Sequence, residues 1–282
     1  MNKLSGLKIK GVTAALLGTL AMVGAGPASA YTITDWDYIL DNGFSAFAPA
    51  GATAVTGSLN NVALNLPTKL SWPSNDATQS SLGVGAELAT PGRFAGTLTT
   101  NAGPLPTVQL IHSNNPIIGT SLSTATLLDQ LQLSVAGENS YFTLAQLTFN
   151  INFLETPNQA PCAVPGGPVC KDIFVVDAIG AGFNPADLSF NQNFFFAPLS
   201  EWYNAKIFLE GIGVLSDAAC DAVFGQGVNR GCIGLVTDEG QNNIFQAGLQ
   251  ISSVTFDVPE PGTVALLGLA LLGLGATRRK AV

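Results

Sequence analysis

Four stretches of the chain alternate apolar and polar residues with period two, and this pattern restricts the fold more than any other feature. Leu131, Leu133 and Val135 alternate with Gln132 and Ser134, and Leu147, Phe149, Ile151 and Phe153 alternate with Thr148, Asn150 and Asn152. Tyr203, Ala205, Ile207 and Leu209 follow the rule with one apolar interruption at Phe208, and Phe245, Ala247, Leu249 and Ile251 repeat it. Successive side chains of a strand point to opposite faces, so such runs predict half-buried strands; the 3.6-residue period of an amphipathic helix is scarce here. Turn-rich segments such as Asn101-Ala102-Gly103-Pro104 and Pro157 to Pro168 separate the runs. The expectation is a mainly β chain forming an antiparallel, jelly-roll-like β-sandwich.

Both ends of the 282-residue chain depart from this pattern. Residues 1–30 carry Lys3, Lys8 and Lys10, an apolar stretch from Val12 to Val23, and the small-residue ending Ala28-Ser29-Ala30. That three-part form is a secretory signal peptide, with Ala28 and Ala30 at the cleavage site and Tyr31 as the new N-terminus. An uncleaved anchor fits less well, because the apolar run falls short of the ~20 residues of a span and Gly24-Ala25-Gly26-Pro27 breaks it. Export implies the translocon and signal peptidase as partners.

Residues 257–282 hold Pro259-Glu260-Pro261, an apolar run from Val264 to Ala276, and the basic end Arg278-Arg279-Lys280. As a hydrophobic helix, the run covers only ~20 Å against a hydrocarbon core of about 30 Å, so it makes a marginal span. The terminal cations favour the cytoplasmic side, with the bulk of the protein outside. Between the two ends, residues 31–256 read as one exported β domain.

Its composition agrees with an exported protein. Charged residues make up 11% of the chain, against a usual share of about 25%. All nineteen acids fall between Asp35 and Glu260 with only five basic residues among them, a net −14, and those five are scattered. Nucleic acid is excluded as a partner, because phosphate contacts need clustered Lys and Arg. The four cysteines, Cys162, Cys170, Cys220 and Cys232, favour disulfides in an oxidising compartment. Their close spacing favours two local bridges, although spacing alone leaves the connectivity open. A Cys₄ zinc site lacks any Cys-x-x-Cys pair.

Two resemblances follow from particular residues. The order Pro259-Glu260-Pro261, Gly- and Leu-rich apolar run, basic end is similar to the PEP-CTERM sorting signal of exopolysaccharide-producing bacteria. That similarity implies recognition by an exosortase, a membrane-embedded transpeptidase that removes the helix. The protein then passes from an inner-membrane-anchored intermediate to the cell surface or extracellular matrix, with extracellular polysaccharide as an implied partner. Within the domain, Leu110-Ile111-His112-Ser113-Asn114-Asn115-Pro116-Ile117 resembles the signature of the THxN family of PEP-CTERM proteins, with His112 and Asn114 as motif residues and Ile111 where the family has Thr. Leu70-Ser71-Trp72-Pro73, Gln79-Ser80-Ser81-Leu82-Gly83 and Cys232 to Gly240 support it. The second resemblance implies a location and no mechanism.

No catalytic constellation stands out. His112 is the only histidine, which excludes multi-histidine metal sites, and no Gly-x-Ser-x-Gly elbow accompanies Ser113. Its expected role is to close a strand and bond to the turn Ser113-Asn114-Asn115-Pro116. Asp35 and Asp37 around Trp36, and Asp172 and Asp177 around Ile173 to Val176, are the acids considered for Ca²⁺. Neither pair fits the spacing of a calcium loop, so they are expected to be solvated strand ends and the protein to need no cofactor. Trp36, Trp72, Trp202 and Tyr203 are candidates for a sugar-binding platform, with burial in the core as the rival assignment. The expected function is therefore a non-enzymatic, exopolysaccharide-associated surface or matrix protein; the alternatives are a carbohydrate-binding module with a defined sugar site, then a secreted hydrolase.

Overall fold

All four alternating runs are strands, and they pair with one another. The computed structural model describes residues 32–73, 78–162, 164, 170–177, 183–184, 186–227 and 231–254. The expected signal peptide with Ala28, Ala30 and Tyr31, the hydrophobic helix of the tail and Pro259, Glu260 and Pro261 lie outside the described residues. The chain first forms β1 (Asp35–Ala48), β2 (Thr56–Asn60), β3 (Pro67–Trp72), β4 (Ser80–Val84), β5 (Arg93–Thr99) and β6 (Leu105–Asn114). It continues through β7 (Thr124–Val135), β8 (Phe142–Thr143), β9 (Leu147–Leu154), β10 (Asp172–Asp177), β11 (Phe183–Asn184) and β12 (Ser189–Phe196). The last elements are β13 (Glu201–Leu209), β14 (Gly213–Val214), the helix α1 (Asp217–Phe224), β15 (Ile233–Thr237) and β16 (Gln241–Val254). Strands account for 57% of the described residues and helix for 4%, so the mainly β expectation holds. Among the described residues no helix is long and apolar enough to cross a membrane.

The strands form two antiparallel sheets. The first runs β14-β15-β10-β9-β7-β1-β5, with β8 added beside β7; the second runs β11-β12-β13-β16-β6-β4-β3-β2. Register follows the alternation: Leu127 faces Phe149 and Ala125 faces Ile151 across β7 and β9, while Ala205 faces Ile251 and Ile207 faces Leu249 across β13 and β16. Aromatic rings fill the space between the sheets. Trp36 of β1 meets Tyr203 of β13 edge-on at 5.1 Å, and Phe149 of β9 meets Phe190 of β12 at 4.5 Å. Edge-to-face pairs of this kind add to the burial of their large apolar areas. Trp36, Trp72 and Tyr203 are sealed in this core, so three of the four aromatic residues considered for a sugar platform are structural.

β10 reads as a continuous apolar run, Ile173 to Val176, because both its faces are covered. Phe174 packs between the sheets, while Ile173 and Val175 join Ala219 of α1 in a second, smaller cluster on the outside. α1 is too short to stand alone; the Ser216 hydroxyl accepts a hydrogen bond from the Ala219 N–H at its first turn, and the Cys220–Cys232 disulfide fastens it to the loop before β15. The second disulfide joins Cys162 to Cys170. Both local bridges favoured by the spacing are thus present, closing loops with separations of 8 and 12 residues. In the chain-entropy view each stabilises the fold by roughly 2–3 kcal/mol. Gly234 of β15 lies so close to β10 that a Cβ there would sit 1.8 Å from the Phe174 carbonyl oxygen; only glycine permits this approach.

Candidate functional site

Strand register brings three carboxylates together at one end of the sandwich. Leu154 pairs with Ile173, so Glu155, which follows β9, lies beside Asp172, which opens β10. Asp172 pairs in turn with Thr237, the last residue of β15. The chain then crosses from the first sheet to the second through Asp238, Glu239 and Gly240 to start β16. Asn243 fixes that crossing: its Oδ1 accepts from the Asp238 N–H and its Nδ2 donates to the Asp238 carbonyl, both at 2.9 Å. Glu155, Asp172 and Glu239 each offer a carboxylate oxygen, and these oxygens lie within 4.8 Å of one another.

The surrounding donors hold each group in one orientation. Trp72 Nε1–H donates to Glu155 Oε2 at 3.2 Å, and Thr156 donates to Asp172 Oδ1 through its N–H at 2.8 Å and its hydroxyl at 3.2 Å. Glu155 Oε1, Asp172 Oδ2 and both oxygens of Glu239 are buried with no hydrogen-bond partner. Asn114, at the end of β6 in the second sheet, is fully buried, and neither atom of its carboxamide makes a well-formed hydrogen bond, although it lies against Asp172 closely enough to favour that carboxylate.

Burial is the main reason these acids bind their protons more tightly than free carboxyls do. It pushes the Glu155 carboxyl up to about 8, helped by the charges of Asp172 and Glu239 and opposed by the Trp72 donor. It pushes Asp172 up to about 7 against the Thr156 hydrogen bonds, and it also raises Glu239, where the nearby Gly240 N–H works the other way without a well-formed bond. Desolvation disfavours the charged form, and a like charge within a few ångströms disfavours it further.

His112 borders this cluster without joining it. The ring is fully buried, stacked on Trp72 with centroids 5.7 Å apart and edge-on to Phe174 at 4.9 Å. Its Nδ1 is 3.0 Å from the Thr237 hydroxyl, and burial lowers the imidazole to about 3, so it stays neutral. The expectation that His112 bonds to the following turn is corrected. The turn is held instead by β4: the Ser80 hydroxyl accepts from the Asn115 N–H at 3.1 Å, and Asn115 Nδ2 donates to the Gln79 carbonyl at 2.6 Å. Ser113 alternates to the other face of β6, away from the imidazole.

The acids considered for calcium divide. Asp35 and Asp37 accept hydrogen bonds from Thr99 and Thr97 of β5, each at 2.6 Å, and the Thr97 bond, with the Gly137 N–H, lowers Asp37. They are cross-strand partners. Asp172 is fully buried, which corrects its assignment as a solvated strand end. Glu155 and Glu239 were not legible as site residues, since 17 and 67 positions separate them from Asp172 and only the β9–β10–β15 register brings them close.

Trp202 is the one candidate platform residue at the surface. It is 41% exposed and lies opposite Phe195, itself 48% exposed, across β12 and β13, with ring centroids 5.3 Å apart.

Beyond the β domain, the C-terminal tail of the chain matches a known family model. The tail supplies the specific finding: residues 257–280 match the family model of the PEP-CTERM protein-sorting motif. The motif marks an exported protein, membrane-anchored before sorting, that an exosortase-type system processes. No curated protein matches the chain.

Proposed function

We propose that the protein is a non-enzymatic component of the cell surface or extracellular matrix, released from its membrane anchor by exosortase and acting by association with exopolysaccharide. The observation that carries this reading is the PEP-CTERM motif at 257–280 joined to a disulfide-bonded sandwich. The sealed, neutral state of His112 supports a non-catalytic role, because a general base must reach the proton it removes. Mass spectrometry of the mature protein in the surface fraction tests the sorting step. The expected C-terminus lies upstream of the basic residues Arg278, Arg279 and Lys280; a surface protein still ending at Val282 would overturn it.

The exposed Trp202–Phe195 pair favours a second reading, a module with one defined sugar site, since aromatic faces at a surface suit the apolar faces of pyranose rings. Polysaccharide pull-down separates the two. Saturable binding abolished by Trp202→Ala selects the module, and diffuse binding that survives the change selects the matrix component. Release of reducing sugar by the purified protein would refute both.

A further inference from the structure

We propose that Glu155, Asp172, Glu239 and Asn114 bind one divalent cation, calcium by their chemistry, and that this ion clamps the two sheets together where the chain crosses between them. The spacing suits a shared centre. Oxygens bound to Ca²⁺ at about 2.3–2.6 Å lie no further apart than about twice that distance, and the three carboxylate oxygens are within 4.8 Å of one another. The hydrogen bonding has the polarity of a ligand shell: Glu155 and Asp172 each have one oxygen held by a protein donor and the other left without one. Metal-binding carboxylates are oriented in this way by partners outside the shell, here Trp72 and Thr156.

Asn114 supplies the independent observation. A buried amide normally finds partners for both its atoms, yet Asn114 makes no well-formed hydrogen bond with either, is fully buried, and lies against Asp172 closely enough to favour its carboxylate. A side-chain carbonyl is a standard calcium ligand. With Glu155 Oε1, Asp172 Oδ2 and the two oxygens of Glu239, it brings the protein donors to five, which leaves room for water in the six to eight positions Ca²⁺ takes.

Donor chemistry selects the ion. His112 is outside the converging group, and all four cysteines are in disulfides, so no nitrogen or sulfur ligand favours zinc or copper. Magnesium demands near-octahedral geometry at shorter distances and keeps most of its water, which suits a five-oxygen protein shell poorly. The adjacent cation, Lys171, is paired with Asp238 at 2.7 Å and does not neutralise the three carboxylates. Asp172 and Glu155 belong to the first sheet, Asn114 to the second and Glu239 to the crossing between them, so one ion would bridge both sheets.

The test uses the exported protein as the cell makes it, purified in chelator and titrated with CaCl₂ alone. The expected result is saturable binding of one Ca²⁺ per chain, with a rise in unfolding temperature of about 5–10 °C at a hundredfold excess over Kd. Glu239→Gln, at a half-buried position, should weaken binding at least tenfold while the far-UV circular dichroism stays that of a β fold. Asp129→Asn, a buried acid outside the cluster, should leave the Ca²⁺ response unchanged. An unfolding temperature indifferent to millimolar Ca²⁺ in folded protein would overturn the proposal. So would an undiminished response in Glu239→Gln, or a response to Zn²⁺ or Mg²⁺ exceeding that to Ca²⁺. If Glu239→Gln does not fold, Asn114→Asp provides the second arm: an added carboxylate at the shell should tighten Ca²⁺ binding, and unchanged or weaker binding counts against the site.

Discussion

Two groups of buried acids sit in the same sandwich and are treated differently by their surroundings. Asp41 of β1 and Asp129 of β7 lie on neighbouring strands towards one edge of the first sheet, where Asn61 Nδ2 donates to Asp41 Oδ1 at 3.0 Å and the Arg93 guanidinium reaches the same oxygen at 3.8 Å. Asp129, with no cation of its own, is pushed up to about 7 by burial and by the charge of Asp41, so it holds a proton. Asp41 Oδ2 and Asp129 Oδ1 are buried without a partner here too, but the charge is balanced from within, by Arg93 and by the proton on Asp129. At Glu155, Asp172 and Glu239 the donors serve only one oxygen of two carboxylates, and one oxygen from each of the three lies within 4.8 Å of the others. Burial of acids, or an unpartnered oxygen, therefore says little by itself; three carboxylates gathered with the nearby Lys171 paired elsewhere separate a ligand shell from a balanced network.

The largest effect should come from breaking the self-balanced region. Asn61 holds Asp41 through Nδ2, and its Oδ1 accepts from the Ala63 and Leu64 N–H groups at 2.9 and 2.8 Å. Asn61→Ala removes these bonds and leaves a buried carboxylate short of a donor, at a cost of about 4 kcal/mol, read from chemical denaturation. A loss below about 1 kcal/mol would mean that Asp41 is not balanced from within. The next effect is a pH dependence. Between pH 4 and 7 the folded state keeps a proton on Asp129 that the unfolded chain has released, so stability falls as pH rises through that window and levels off above it. At about 1.4 kcal/mol per unit, and allowing for relaxation of the site, the loss is about 3 kcal/mol. Subtracting the curve of Asp129→Asn from that of the parent, both in chelator, isolates this contribution; coincident curves would refute it.

The same comparison explains what could be read from the sequence. The strands β7, β9, β13 and β16 were legible because one face of each is buried and the other is not, which writes the period directly into residues such as Leu147, Phe149, Ile151 and Phe153. β1 was not, since Asp41, Asn42 and Phe44 are all buried around a bulge that shifts its register against β7. α1 was missed because eight residues hardly show a helical period and because a disulfide fixes it. Of the cluster, Asn114 was accessible through the motif it shares with the neighbouring His112, and Asp172 through its place beside an apolar run. Glu155 and Glu239 carry no local signal, because their proximity comes from pairing in the sheet and from a crossover between sheets.

A smaller change should invert in sign between the two regions. In chelator at pH 8, Asp172→Asn removes the charge of one of three crowded carboxyls and keeps an oxygen for the Thr156 donors, so it should stabilise the protein by about 1 kcal/mol. Asp41→Asn under the same conditions should destabilise, because Arg93 loses its counter-charge. Equilibrium unfolding measures both; two losses of similar size would erase the distinction between the regions.

Lys171 gives the smallest expected effect and the strictest check on whether the cluster lacks an internal counter-charge. Its ammonium meets Asp238 at 2.7 Å, with the side chains 28% and 48% exposed, and both residues adjoin cluster members in sequence. Strand alternation sends Lys171 and Asp172 to opposite sides, which is why the cation serves the exposed Asp238 and not the buried carboxylates. An ion pair as accessible as this stabilises by about 0–1 kcal/mol and is screened by salt. Lys171→Ala should therefore cost less than about 1 kcal/mol at moderate salt and leave Ca²⁺ affinity within about twofold, measured by thermal unfolding and calorimetric titration. A rise in Ca²⁺ affinity of tenfold or more would show that Lys171 repels the incoming cation from within the shell, and the cluster would then resemble the Asp41 region after all.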